Sequence, residues 1–219
     1  MAANQTKERI VETAIKLFNK YGYKKVTMDD IAQSIHISKR TLYEIYSSKD
    51  ELIMDCLTQL HQYIAKLRMD AISKTDDPMM MTLYIMRHTS NKRVQYSRLF
   101  DEAEQYYPEL NAQLIKTYGK KFKDQLLDVF EIAQRNGDLR ANIDIDAAID
   151  VIIFSVRSNN NTLENDKTSN EAFSKRLREA CFTYLRGLLS TKAIERIDQN
   201  AEKYREIINE NDRPITLYT

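Results

Sequence analysis

Four glycines and three prolines in 219 residues leave little material for tight turns. That scarcity argues against a strand-rich fold and predicts long, uninterrupted helices. The two cysteines, Cys56 and Cys181, lie far apart without metal-ligand spacing, which suits inert thiols in a reducing compartment. Three histidines, His36, His61 and His88, form no i, i+4 ligand pair and no HExxH motif. A glycine-rich phosphate loop is missing, and the carboxylates are spread as helix-surface charge rather than paired as acid and base. These gaps predict a chain that is not an enzyme and uses no cofactor or metal. No apolar run approaches the roughly 18–20 residues of a membrane span, and the opening MAANQTKERI lacks the apolar core of a signal peptide. A cytoplasmic chain without a membrane partner is therefore expected.

What is present is a globular composition, 42% hydrophobic and 30% charged, with a net charge of +1. The charge is uneven. Residues 1–50 hold nine Lys or Arg against six Asp or Glu, a surplus of three, and the remainder is net negative by two. The sign is the one a nucleic-acid-binding end requires.

The stretch Thr27 to Leu52, TMDDIAQSIHISKRTLYEIYSSKDEL, reads as two short helices joined by a tight turn, with a third starting at once. Thr27 and Asp30 have the spacing of a capping box. Met28, Ile31, Ala32 and Ile35 fall on one apolar face. His36 and Ile37 form the connection, and Ser38 caps the second helix. Leu42, Ile45 and Tyr46 turn inward, leaving Lys39, Arg40, Thr41, Tyr43 and Glu44 outward. A short helix fits the major groove, and its first turn offers hydrogen-bonding side chains to base edges and phosphates. Arg40 is a candidate for a guanine contact, while Glu44 either accepts from cytosine or pairs with Arg40 four residues earlier. A second capping box, Ser48 to Glu51, opens the third helix. Lys49 at that helix start would face a bound phosphate together with backbone N–H groups.

These residues, Thr27…Ile31-Ala32, Ile37-Ser38-Lys39, Thr41-Leu42-Tyr43, Tyr46 and Ser48-Lys49…Leu52, resemble the signature of TetR-family transcriptional regulators over roughly residues 5 to 55. The resemblance implies DNA contacts at Thr27, Lys39, Thr41, Tyr43 and Lys49, to which position on the reading helix adds Ser38, Arg40 and Glu44. Three positions depart from the pattern: His36 and Arg40 where glycine is frequent, and Ile45 where tyrosine or histidine is common. The departures touch turn and contact chemistry, and so the operator sequence.

Further along, a helix capped by Thr6 is expected to reach Tyr21 and stop at Gly22, burying Ile10, Ala14, Leu17, Phe18 and Tyr21. The helix from Lys49 should run to about Ser73 with Leu52, Ile53, Cys56, Leu57, Leu60, Ile64 and Leu67 inward. Pro78 opens a methionine-rich segment, and Asn91 to Tyr106 reads as a separate helix. A long amphipathic helix follows Pro108 and ends at Asn136-Gly137. Ala147 to Arg157 is apolar nearly all round, as in a helix covered on two sides. Asn159 to Asn170 reads as a polar loop, Phe173 to Leu188 as the next helix, and Thr191 to Asn209 as one more.

The expected architecture is thus all-α: an N-terminal three-helix helix-turn-helix domain over residues 1–50 and a C-terminal helical effector-binding and dimerisation domain over residues 51–219. The resemblance implies a homodimer built on the helices around 147–157 and 173–188, double-stranded operator DNA as partner, and a small-molecule effector that releases it. Tyr84, Phe100, Tyr106, Tyr107, Tyr118, Phe122 and Phe154 are candidates to line the effector pocket, with ordinary core as the competing role. The other class of reading is an all-α interaction protein whose helix-turn-helix no longer reads DNA, favoured by Glu44 and Ile45.

Overall fold

The computed structural model describes residues 2–157 and 167–209. The described residues form helices and no strand, with one isolated bridge between Leu139 and Leu189. In chain order the helices are α1 (Ala2–Tyr21), α2 (Met28–Ser34), α3 (Lys39–Ile45), α4 (Lys49–Ile72), α5 (Pro78–Gln95), α6 (Ser97–Tyr106), α7 (Pro108–Arg135), α8 (Ile145–Arg157), α9 (Lys167–Leu188), α10 (Thr191–Gln199) and α11 (Ala201–Asn209). They pack as two compact units. One holds the described residues up to Tyr63 together with Tyr96–Tyr118; the other holds Ile64–Gln95 and the described residues from Gly119 onward.

In the first unit α1 packs on both α2 and α6, and α2 on α3. Ile10, Val11, Ala14, Phe18, Ile31, Leu42, Leu52, Ile53 and Cys56 are completely buried in it. The face of α1 is rotated from the expected stripe: Val11 and Ile15 are buried and Tyr21 is 46% exposed. The reason is that α6 as well as α2 lies against α1, so its buried face is wider than one neighbour requires. Helix α1 also begins at Ala2, a turn before Thr6.

The second unit is organised around α5, which packs on α8, α9 and α11. Met79, Met80, Met81, Leu83, Ile85 and Met86 are all buried there. Three expected boundaries differ. The methionine segment and the start of the next expected helix are one helix, and the break falls at Tyr96, a buried residue with no side-chain cap. No glycine or proline marks that break, so nothing in residue type announces it. Residues 167–170 belong to α9 rather than to the polar loop, whose remainder at 159–166 lies outside the described residues. The expected last helix is broken at Asn200, where Asn200 N–H bonds to Ile197 O.

Helices α10 and α11 are held to the rest of their unit by a charge cluster around the buried Asp138. Arg196 donates to both carboxylate oxygens of Asp138 at 2.9 and 3.0 Å, and Tyr204 Oη donates to Asp77 at 2.6 Å. Asp138 is 2% exposed and follows Gly137, whose φ of 71° ends α7. Ser190 reinforces the joint, its backbone N–H donating to Asp138 O and its hydroxyl to Gly137 O. The terminal helices therefore cover α5 and α9. Arg196→Met would leave the Asp138 carboxylate buried without a cation, and it should lower the unfolding free energy by about 3–5 kcal/mol. Arg186→Met, which frees the exposed Asp198, should cost less than about 1 kcal/mol. Urea titration of the two variants measures the contrast.

Candidate nucleic-acid interface

The helix-turn-helix forms from local chemistry. Thr27 Oγ1 accepts from Asp30 N–H at 3.1 Å while the Asp30 carboxylate accepts from Thr27 N–H at 2.7 Å, so both halves of the box close. The Thr27 hydroxyl also donates to the Asp30 carboxylate at 2.7 Å, and this bond, with that from the Thr27 N–H, holds the Asp30 carboxyl below its ordinary range. Ser38 Oγ accepts from Thr41 N–H at 3.0 Å and starts α3. At the third helix Ser48 Oγ accepts from Glu51 N–H at 3.1 Å, but the Glu51 carboxylate returns to Ser47 N–H at 2.7 Å rather than to Ser48. The box is thus shared by two serines.

Between α2 and α3 the chain reverses at His36, which has φ of 58°. A left-handed conformation is strained for a residue with a Cβ. Leu42 and Tyr46 fix the inner face of α3, fully buried or nearly so, and Tyr46 Oη donates to Asp55 at 2.6 Å. Lys39, Arg40, Tyr43 and Glu44 are exposed on the other face, with Thr41 half-buried beside Ser38. The exposed cations are already positioned. Lys39 reaches back to Asp29 of α2 at 2.9 Å, and that hydrogen bond raises its pKa. Arg40 Nε donates to Glu44 at 2.9 Å, so the orienting role of Glu44 is the one realised.

Lys49 behaves differently from the other candidates. Its ammonium donates to the carbonyl of Tyr23 and is half-buried, and burial lowers its pKa against the pull of Asp50, Glu102 and Asp30. It is one member of a clamp that α6 places around the start of α4. Glu102 accepts from Tyr23 N–H at 2.5 Å, Tyr23 Oη donates to Leu99 O at 2.9 Å, and Tyr107 Oη donates to Asp50 at 2.6 Å. Lys24 lies 4.3 Å from the centroid of the Tyr106 ring. Sequence reasoning missed Glu102 and Tyr23, whose roles depend on residues almost eighty positions apart.

The aromatic candidates for an effector pocket are dispersed. In the first unit Phe100 and Tyr118 both pack on His61, with centroids at 5.5 and 5.2 Å, while Tyr107 lies 5.8 Å from Tyr23. In the second, Phe122 faces Arg68, Tyr84 stacks on His88, and Phe154 is 72% exposed. A cavity of about 20 Å³ between Met79, Phe130 and Leu185 has room for about one water. An open groove of about 530 Å³ runs along Leu17, Tyr21, Lys25 and Gln33 on the head. None of the candidate aromatics lines either space. Among the described residues no group of three or more His, Cys, Asp or Glu could hold a metal ion, and no helix is long and apolar enough to cross a membrane.

A seven-residue helix seated on α2, polar outward and anchored by Leu42 and Tyr46, has the geometry of a helix-turn-helix unit. Residues 10–56 match the family model described as bacterial regulatory proteins, tetR family. Over 57 residues the chain is 37% identical to the biofilm operon icaADBC HTH-type negative transcriptional regulator IcaR of Staphylococcus epidermidis, a match covering 26% of this chain and 31% of that protein. Over 159 residues it is 23% identical to the probable acrEF/envCD operon repressor of Escherichia coli, covering 68% of this chain and 72% of the relative. A crystal structure of AibR in complex with isovaleryl coenzyme A and operator DNA superposes with a TM-score of 0.53 at 19% identity, over 80% of this chain and 98% of that one. Over residues 10–56 the chain is thus similar to bacterial regulatory proteins of the tetR family, and it spans about a third of the length of IcaR.

Two left-handed positions in the head should respond to substitution with opposite signs. His36→Gly relieves strain and should stabilise the chain by about 1 kcal/mol. Gly22→Ala introduces a Cβ at φ of 84° that would collide with the Glu102 carboxylate, and should destabilise by at least about 1–2 kcal/mol. Thermal unfolding of both variants decides the signs.

Proposed function

We propose that this protein is a homodimeric transcriptional repressor that grips a palindromic operator through two copies of α3 and is released by a small-molecule effector. Residues 1–50 act as the reading head and residues 51–219 carry effector binding and dimerisation. One observation carries the reading: α3 exposes Lys39, Arg40 and Tyr43 on the face opposite its buried Leu42 and Tyr46. Arg40, oriented by Glu44, addresses a base edge, and Tyr43 and Thr41 flank it. Thr27, Ser38, Lys39 and Lys49 serve the phosphates. The pairing of Glu44 with Arg40 removes the main objection to DNA reading that an outward carboxylate would raise.

A palindromic site needs two heads. Helix α8 buries Ile149, Ile152 and Val156 within its own unit and leaves Val151 46% and Phe154 72% exposed. In the dimer those side chains meet their twofold mates, a role that suits Phe154 better than an effector pocket. The negative regulator IcaR and the probable acrEF/envCD operon repressor support negative control, and AibR, which binds both isovaleryl coenzyme A and operator DNA, supports a small-molecule effector. Release is a population shift: effector favours a conformer whose heads no longer match grooves about 34–36 Å apart. Helix α4, which begins in the head at Lys49, transmits the shift. The protein acts in the cytoplasm, where its operator lies.

Duplexes selected from a random library, then titrated across a salt series, test the reading. Wild-type protein should enrich a palindrome with a steep salt dependence. Arg40→Ala or Tyr43→Ala should weaken it by about tenfold or more, corresponding to roughly 1–3 kcal/mol, and Phe154→Glu should give a monomer in sedimentation. A wild-type protein that ignores every duplex at low salt, or sediments only as a monomer, ends the proposal.

A further inference from the structure

Helix α4 carries an arginine where its apolar stripe calls for hydrocarbon. The buried face runs through Leu57, Leu60 and Ile64 and then, four residues on, reaches Arg68, which is 4% exposed. Arg68 Nε donates to Gln125 Oε1 at 2.9 Å, and the guanidinium lies 4.9 Å from the centroid of the Phe122 ring. Its Nη2 is buried with no acceptor. No carboxylate pairs with it among the described residues, and burial alone pushes its pKa down to about 10. The group is therefore still a full cation at neutral pH.

Amide oxygens and rings also serve other buried cations of the same unit. Lys92 donates to Gln95 at 2.9 Å, Arg178 donates to Asn91 at 2.6 Å, and Arg87 lies over the Tyr84 ring. A buried charge normally has a counter-ion, because the hydration it has lost must be replaced. At Arg68 the protein supplies one amide oxygen and one aromatic face and leaves the buried Nη2 without an acceptor.

We infer that Arg68 anchors the effector through its carboxylate. The inference rests on the proposed regulatory reading only for the word effector; the site itself stands on the geometry. A carboxylate fits better than a phosphate for two reasons. One negative charge matches the single cation, and the planar guanidinium meets a planar carboxylate through two parallel hydrogen bonds. The Gln125 amide N–H supplies a further donor. The rest of the ligand is hydrocarbon, since Phe122 belongs to the same apolar cluster as Leu126 and the α5 methionines Met80 and Met86. Methionine is unbranched and repacks readily, so room for the guest opens by rearrangement of this wall.

The probes are straight-chain saturated monocarboxylates of six to sixteen carbons, each with the alcohol and amine of the same length, added to the full chain and followed by calorimetric unfolding. At least one carboxylate should raise Tm by several degrees in a concentration-dependent way, as a ligand specific to the native state must. Its alcohol and amine should not. Arg68→Met should abolish the shift while remaining at least as stable as wild type without ligand, and Arg68→Lys should weaken binding by about tenfold, having lost the fork. The inference is overturned if no carboxylate shifts Tm, if the alcohol shifts it equally, or if the shift survives in Arg68→Met. An Arg68→Met chain that melts well below wild type would make the guanidinium a structural member and would overturn it too. Duplex binding by ligand-free protein tests the regulatory reading separately: a chain that takes up the carboxylate and ignores DNA sinks that reading and leaves the site standing.

Discussion

A helix of seven residues does not persist alone in water, because the first turn costs more in chain entropy than its few hydrogen bonds return. Helix α3 exists only because Leu42 and Tyr46 are buried beneath it and Ser38 closes its start. Everything proposed about DNA follows from that constraint. Once the inner face is committed to the core, Arg40 and Tyr43 have only solvent, or a groove, to face. The Tyr46 hydrogen bond to Asp55 ties the end of α3 to the first half of α4, so the reading face and α4 share one rigid joint.

The same unit shows why α6 belongs with the head. The backbone N–H of Tyr23 and the Asp50 carboxylate, both near the start of α4, are met by Glu102 and Tyr107. Lys49 takes the Tyr23 carbonyl, which fixes the ammonium at the mouth of α4 instead of leaving it to wander in solvent. A phosphate arriving there would meet a cation whose side-chain entropy has already been lost. Organisation before binding is a more economical route to affinity than adding another mobile lysine.

The second unit handles charge in two contrasting ways. Arg196 and Asp138 neutralise each other with two short hydrogen bonds, and the terminal helices are fastened as a result. Arg68 has an amide and a ring but no anion. In sequence the two arginines look alike, each a basic residue on an amphipathic helix. The helical step from Ile64 to Arg68 was a usable signal, since it places the arginine on the buried stripe, whereas Leu67, read as inward, is only half-buried.

Local chemistry made much of the head legible. Capping residues, the 3.6-residue period and the turn at Ile35–Ile37 act over a few positions, so Thr27, Asp30, Ser38 and the outward face of α3 could be read directly. Chain breaks without glycine or proline could not: Tyr96 is buried with no side-chain cap, and Asn200 is exposed with its amide donating to Arg196 O. Nor could the partners of Tyr23, Asp138 and Arg68, which lie between 57 and 79 positions away. By itself the sequence determined which segments are helical and which face of each is apolar, because those properties are set by neighbours along the chain. Which charges are buried, and whether anything answers them, was decided only by the tertiary structure, since desolvation and pairing depend on groups that folding brings together.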